Sequence, residues 1–460
     1  MLELIERAKE ILETRVKRKI HREIRSKAYS HHTVTYPERN NTSPLKQEDI
    51  FYKSSETKDL ALYLHIPFCN GKCTYCQYVT FANQSDERVN TYISALKKEI
   101  NLVCEIPEIK NFRITTAYIG GGTPTYLSPA NLEKLLIHVR EKLNFHNNIE
   151  FTVEASPETI IGETGEKRLD TLRKYGVNRL SIGVQTFDDK ILSFIRRRHD
   201  SKQAIESIKR AKEKFNNINI DLIVGLPDQT LEIWQFDLDT ALKTKVPSIT
   251  TYPLKIKSEA PVVYKLFKKN PQRFPDEKTF LLMYIMSMER FNELGYEQYP
   301  VWWFTKSLEY VYKQQIHKWE NNGELIALGI AGYSYINKWQ YYNVKTLKEY
   351  LESLNQNRLP ISEGVKLSKP EEQARRNLVL GIRCKIDKNK FKERYGFKPE
   401  EKFGKILSRL ESLDLIINSE KEIKLGYTGN LFAEEVSRSF LLKHPSNKNT
   451  NLKKNNHGYA

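Results

Sequence analysis

The sequence predicts an α/β protein: a parallel sheet with helices packed outside it. Two observations carry this. Between about residues 60 and 255, six strand-like runs alternate with five amphipathic helix-like stretches, and alternation of that kind builds βα units around a parallel sheet. The second is the placing of polar residues. Glu154, Gln185 and Asp221 stand late in otherwise apolar strand segments, at the C-terminal edge where barrel-like sheets hold their chemistry.

The elements follow in order. Residues 1–29 read as a strongly basic helix with Leu2, Ile5, Ala8, Leu12, Val16 and Ile20 as an apolar stripe, packed on the main domain or serving as a lid or partner arm. With the polar, turn-rich residues 30–56 it makes an N-terminal arm. The main unit, 57–255, opens with a strand in which Leu62, Leu64 and Ile66 alternate with Tyr63 and His65, ended by Pro67. A helix over 87–103 precedes the strand TTAYIG. A helix with Leu132, Leu135, Leu136, Val139 and Leu143 on one face follows, and IEFTVEAS, NRLSIGVQ, NINIDLIVGLP and SITTYPLK are the later strands. Residues 256–368, with QYPVWWFTKS, LIALGIAGYSYI and KWQYYNV, are expected to extend the sheet and cover its open side. Residues 369–442 read as a small winged-helix-like accessory domain with the hairpin LIINSEKEIKL, and 443–460 as a disordered tail.

Composition narrows the class. The 39% hydrophobic and 28% charged residues over 460 positions suit a soluble, cytoplasmic protein, and no run reaches the roughly 18 apolar residues of a membrane span. Five cysteines, three of them clustered, leave Cys104 and Cys384 as single thiols, a reducing-compartment pattern. The net charge of +17 suits an anionic substrate or an acidic electron donor; lysine is spread over the whole chain, so nucleic acid is not the expected partner.

The chemistry centres on YLHIPFCNGKCTYCQY, where Cys69, Cys73 and Cys76 occupy a loop leaving a strand. Zinc normally takes four ligands in two pairs, and there is no second CxxC. A four-iron cluster held by three cysteines would instead keep one iron open for a further ligand. CxxxCxxC after a strand resembles the signature of radical S-adenosylmethionine (SAM) enzymes, and with HIPF and the downstream motifs the chain resembles the oxygen-independent coproporphyrinogen III oxidase-like family. That resemblance implies an incomplete barrel of six βα units, a 4Fe-4S cluster and SAM. It also implies a 5′-deoxyadenosyl radical that abstracts hydrogen from a small-molecule substrate, and a reducing donor such as flavodoxin or ferredoxin.

Gly120–Thr125, GGGTPT, follows a strand directly and lets backbone approach a ligand; it is not GxGxxG, so a dinucleotide fold is rejected. The resemblance assigns Gly121, Gly122 and Thr123 to the amino group of SAM. Glu154, a carboxylate in an apolar strand, needs a partner, which the SAM ammonium would supply. Gln185 and Arg197 match family contacts to the ribose and carboxylate end of SAM, Asp221 and Ile223 match contacts to ribose and adenine, and Tyr63 matches a cluster-side tyrosine.

The departures choose the branch. Coproporphyrinogen dehydrogenases carry a fourth cysteine two residues after the third, where this chain has Tyr78. Haem chaperones carry HNxxYW, where this chain reads QQIHKW, with Gln314 at the His position, Lys318 at the Tyr position and His317 displaced. Tight, stoichiometric haem binding is therefore not expected. The leading expectation is the methyltransferase-like branch, which binds two SAM molecules and transfers carbon; oxidative decarboxylation of coproporphyrinogen and a haem chaperone without turnover are the alternatives.

Overall fold

The computed structural model describes residues 2–16, 35–37, 39–51, 59–110 and 112–442. The part of the expected basic helix containing Ile20, much of the polar arm, and the expected disordered tail lie outside the described residues. Six strands run parallel and neighbour one another in chain order: β1 Asp59–Ile66, β2 Arg113–Gly121, β3 Phe145–Ala155, β4 Arg179–Gln185, β5 Asn217–Val224 and β6 Ser248–Pro253. Helices Asp86–Cys104, Pro129–Lys142, Gly162–Lys174, the pair Asp189–Phe194 and Ser201–Lys214, and Leu231–Lys243 make the crossovers. Ser85, Ser128, Asp200 and Thr230 cap four of these helices, each accepting an amide of the first turn.

Strand alternation sorts the side chains. Ile119, Phe151, Val153, Leu180, Ile182, Ile220 and Leu222 are buried in the main apolar core. The opposite parity places Tyr118, Glu154, Ser181, Asn219, Asp221 and Thr250 together in the interior, where they hydrogen-bond one another. The barrel stays open because β6 does not return to β1. β6 pairs antiparallel with Trp303–Thr305, and β1 pairs parallel with Glu324–Leu328. From that strand an antiparallel meander, Tyr333–Ile336, Trp339–Asn343 and Ile361–Lys366, carries one sheet of 13 strands out to Ser43–Pro44.

The expected sheet extension is thus present, and the segment from Tyr312 into the helix Lys313–Trp319 inserts into the barrel interior. Tyr312 packs on Tyr118 at 5.5 Å between ring centroids, and the Arg179 guanidinium lies over the Tyr312 ring at 4.8 Å from its centroid. The N-terminal helix Leu2–Arg15 buries Leu4, Ile5, Ala8 and Leu12, and its Arg7 pairs with Glu289 and Glu293 of the helix Glu277–Glu293. The C-terminal part has helices Pro370–Gly381, Lys388–Tyr395 and Pro399–Ser412 with a three-stranded sheet in the order Lys385–Asp387, Glu422–Leu425, Ile416–Asn418. Two short helices, Tyr427–Leu431 and Ala433–Arg438, follow that sheet. No helix among the described residues is long and apolar enough to cross a membrane.

Candidate functional site

The three clustered cysteines sit on a loop pinned at its base. Phe68–Cys69 pairs with Phe81–Ala82, and the Phe81 and Asn83 amides donate to the Pro67 and Cys69 carbonyls at 2.6 and 3.0 Å. The Thr74 amide reaches Ile195 beyond β4 at 3.1 Å, and the His65 ring meets the Val79 carbonyl at 3.1 Å. Burial holds His65 neutral, its pKa lowered to about 4. Cys69, Cys73 and Cys76 are all half-buried. Each faces a donor: Thr123 Oγ1 at 3.7 Å from Cys69, Arg197 Nη1 at 3.6 Å from Cys73, and the Tyr78 backbone and Thr80 at Cys76. Burial pushes the Cys69 thiol up to about 12 and raises Cys76.

Three soft sulfur donors with hydrogen-bond donors aimed at them fit a multi-iron cluster, whose sulfurs are tuned by such bonds. Among the described residues no three metal-ligating side chains are gathered closely enough for a single ion; a four-iron cluster spaces its ligands wider.

The Gly-rich loop is stitched to this platform. The Gly122 and Thr123 amides donate to Ile66 and Phe68 carbonyls, both at 2.8 Å. Gly121 has φ +112°, and a Cβ there would lie 2.4 Å from the His65 ring; one on Gly122 would lie 2.6 Å from the Phe68 carbonyl oxygen. Only glycine fits this close approach.

Glu154 leaves β3 beside that loop. Tyr118 Oη donates to its Oε1 at 2.6 Å and the Gly121 amide to its Oε2 at 3.0 Å. The carboxylate that needs a partner in its apolar strand thus receives two donors from the fold itself. Burial nevertheless lifts its pKa to about 7, with Asp221 adding like charge. Asp221 accepts from Ser181 Oγ at 3.0 Å and Asn219 Nδ2 at 2.8 Å, and burial raises it too.

Gln185 has a left-handed backbone, φ +74°, and its Oε1 accepts from Tyr252 Oη at 2.9 Å. Arg197 donates through Nη2 to Ser156 Oγ at 2.8 Å and Gly183 O at 2.6 Å, as well as to Cys73. Ile223 is fully buried in a small second apolar cluster that Tyr75 and Tyr252 pack against. Tyr63 lies 3.2 Å from His65 Nδ1 and stacks on Tyr118.

Gly121, Glu154, Gln185 and Ile223 thus lie at or next to the C-terminal ends of their strands, with the cysteine loop following β1; Tyr63 and Asp221 lie further back in theirs. Reasoning from sequence missed Tyr118, His65 and the buried network in which Ser156 and Asn70 donate to Glu158 at 2.5 and 3.3 Å. That network, His199 and Arg197 hold Glu158 down at about 2. Strand parity would have found Tyr118, two residues before Gly120; nothing local marks Glu158.

The segment QQIHKW has a different fate. Gln314 is buried and donates through Nε2 to the Leu62 carbonyl at 3.0 Å. His317 Nε2 meets the Glu324 carbonyl at 2.8 Å and its ring packs against Gly323. Neither reaches the barrel mouth.

Comparison with known proteins agrees with this geometry. The radical SAM superfamily profile matches residues 63–240. The heme chaperone HemW of Bacillus subtilis (strain 168) is 34% identical over 387 residues, 82% of this chain and 98% of that protein. The oxygen-independent coproporphyrinogen III oxidase of Salmonella typhimurium is 26% identical over 400 residues, 83% of this chain and 85% of that protein. The solved coproporphyrinogen III oxidase (HemN) of Escherichia coli, a radical SAM enzyme, superposes with a TM-score of 0.77 at 24% identity over 88% of this chain and 96% of that one, which shows the shared fold. These relatives are chaperones and oxidases, so the leading expectation of a carbon-transferring methyltransferase finds no support in them.

Proposed function

The chain belongs to the radical SAM superfamily and, within it, to the family of the haem chaperone and the oxygen-independent coproporphyrinogen III oxidase, and we propose that it acts on the chaperone side, holding a tetrapyrrole over its barrel mouth. The observation that carries the choice is Tyr78. It stands where the family's oxidases have a fourth cysteine, and it is 60% exposed. Identity to a chaperone over nearly that protein's whole length supports the same side.

Cys69, Cys73 and Cys76 would hold the cluster. Cluster and bound SAM together would supply reductive cleavage of the sulfonium and, with it, hydrogen abstraction. The chain's own residues do the rest. Tyr118 and the Gly121 amide orient the Glu154 carboxylate toward the SAM ammonium, while Gly121, Gly122 and Thr123 offer backbone at close range. Asp221, held by Ser181 and Asn219, would take the ribose, and Ile223 the adenine. Gln185, fixed by Tyr252, and Arg197 serve the ribose and carboxylate end. Tyr63 and His65 hold the cluster side.

Tyr78 is exposed, and Tyr63, Tyr75 and Tyr252 are half-buried nearby, a set of aromatic side chains of the kind that suits a planar macrocycle. With Gln314 and His317 both tied to backbone carbonyls, iron ligation from the QQIHKW segment is not part of the reading. A small reducing protein such as flavodoxin or ferredoxin would feed the cluster.

Haemin titration of the anaerobically reconstituted protein tests this. A shifted Soret band, unchanged in His317→Ala, is expected, without consumption of coproporphyrinogen III. A Soret band left as in free haemin would refute the chaperone reading. Conversion of coproporphyrinogen with 5′-deoxyadenosine release would move the protein to the oxidase side, which the resemblance to the oxidases favours as the second reading.

A further inference from the structure

A tetrapyrrole of the kind proposed above carries propionate carboxylates, so its binding needs a cation beside the mouth. β6 ends at Pro253, and the Leu254 amide ties the next residue to the Val224 carbonyl of β5 at 2.8 Å. Leu254 is buried in the second apolar cluster with Ile223, and Ile256 packs against that cluster. Lys255 interacts with Lys257 and, in the C-terminal part, with Glu434 and Arg383.

The Arg383 side chain is fully buried and donates twice to Glu434 Oε1, at 3.1 and 2.8 Å. The carboxylate facing Lys255 is therefore already engaged. Lys255 makes no hydrogen bond or ion pair among the described residues, and burial beside Lys257 and Arg383 pushes its ammonium down to about 7. Lys255 is half-buried, so its ammonium is partly withdrawn from water without a partner of its own, which is unfavourable, while Lys257 and Arg383 add like charge beside it. Three residues upstream, Tyr252 holds Gln185, so the unpaired ammonium lies on the same edge as the residues assigned to SAM.

We propose that Lys255 is a carboxylate-anchoring residue of the mouth, taking a propionate of a tetrapyrrole laid across it. This rests on the tetrapyrrole reading above. It also explains how a macrocycle is held when the QQIHKW segment offers no ligand: by its acidic edge rather than by its metal.

Fluorescence titration of the full-length, cluster-reconstituted protein with mesoporphyrin IX and with its neutral diamide separates the possibilities. Lys255→Met is expected to weaken mesoporphyrin roughly ten- to a hundredfold, the scale of a charge-assisted hydrogen bond, with the diamide little changed. Lys255→Arg should restore most of the affinity, and Lys265→Met, at an exposed position, should leave it as in wild type. Iron content and the melting curve report whether the variant is folded. Unchanged mesoporphyrin affinity in Lys255→Met overturns the anchor. Equal loss of acid and diamide also overturns it, since the effect is then not one of charge. If wild type binds the diamide as tightly as the acid, the anchor fails while the tetrapyrrole reading stands; if it binds neither, the tetrapyrrole reading fails as well.

Discussion

With Tyr118 and the Gly121 amide already donating to it, Glu154 is oriented before any ligand arrives, yet burial keeps its pKa at about 7. Only the ionised carboxylate can pair with an ammonium, so SAM affinity should fall as pH drops below about 7, approaching a tenfold loss per unit. Calorimetric titration at pH 6 and 8 checks this. Glu154→Gln should weaken SAM by roughly 1.5–3 kcal/mol at pH 8 and flatten the pH dependence; an unaltered profile would leave the carboxylate a structural role only. At the cluster, Cys76→Ala should lose the iron–sulfur absorbance and all 5′-deoxyadenosine formation, whereas Cys384→Ala, buried in the C-terminal part, should keep both. The cysteines and Glu154 were legible because a thiol triplet and a lone acid stand out in apolar sequence. Glu158 was not, because what identifies it is a neighbour 88 residues away, Asn70, whereas Tyr118 was open to strand parity and went unread.

At the scale of elements, the Gly-rich loop and the cysteine loop form one unit joined by backbone hydrogen bonds. Gly121→Ala forces a Cβ against His65 from a backbone at φ +112°. It should cost more than about 1 kcal/mol, seen in denaturant melts together with poor iron incorporation. Gly295→Ala, equally left-handed but with nothing near its Cβ, should cost less and spare the iron. The alternating strands and helices were read nearly to their ends from hydrophobic period, because that period is local. QQIHKW was read as a displaced ligand motif, and the helix carrying it is an interior support whose Gln314 bonds Leu62, 252 residues earlier. Spacing within a motif reports nothing about such a contact.

For the whole molecule, Glu99 joins barrel to extension: it sits on the helix Asp86–Cys104 and accepts from Gly329, Asn343 and Tyr350 of the meander region. Burial raises its pKa to about 7 against those donors. A carboxylate whose folded value lies above its unfolded one contributes most at low pH and loses ground as pH rises through about 7. The stability gap between wild type and Glu99→Gln should therefore move in favour of the variant between pH 5 and 8, by at most about 3 kcal/mol. Denaturant melts at the two values measure it. The sheet that Glu99 helps to hold together also has an unusual pair of boundaries. Its 13 strands end in Ser43–Pro44 on one side and Glu297–Gln298 on the other, two residues each, and Pro44 has no amide hydrogen to offer. A ladder that short cannot template a strand from another molecule. Because β1 and β6, which would be the barrel's own exposed margins, are each covered by further pairing, the open barrel is shielded against edge-to-edge aggregation without having to close.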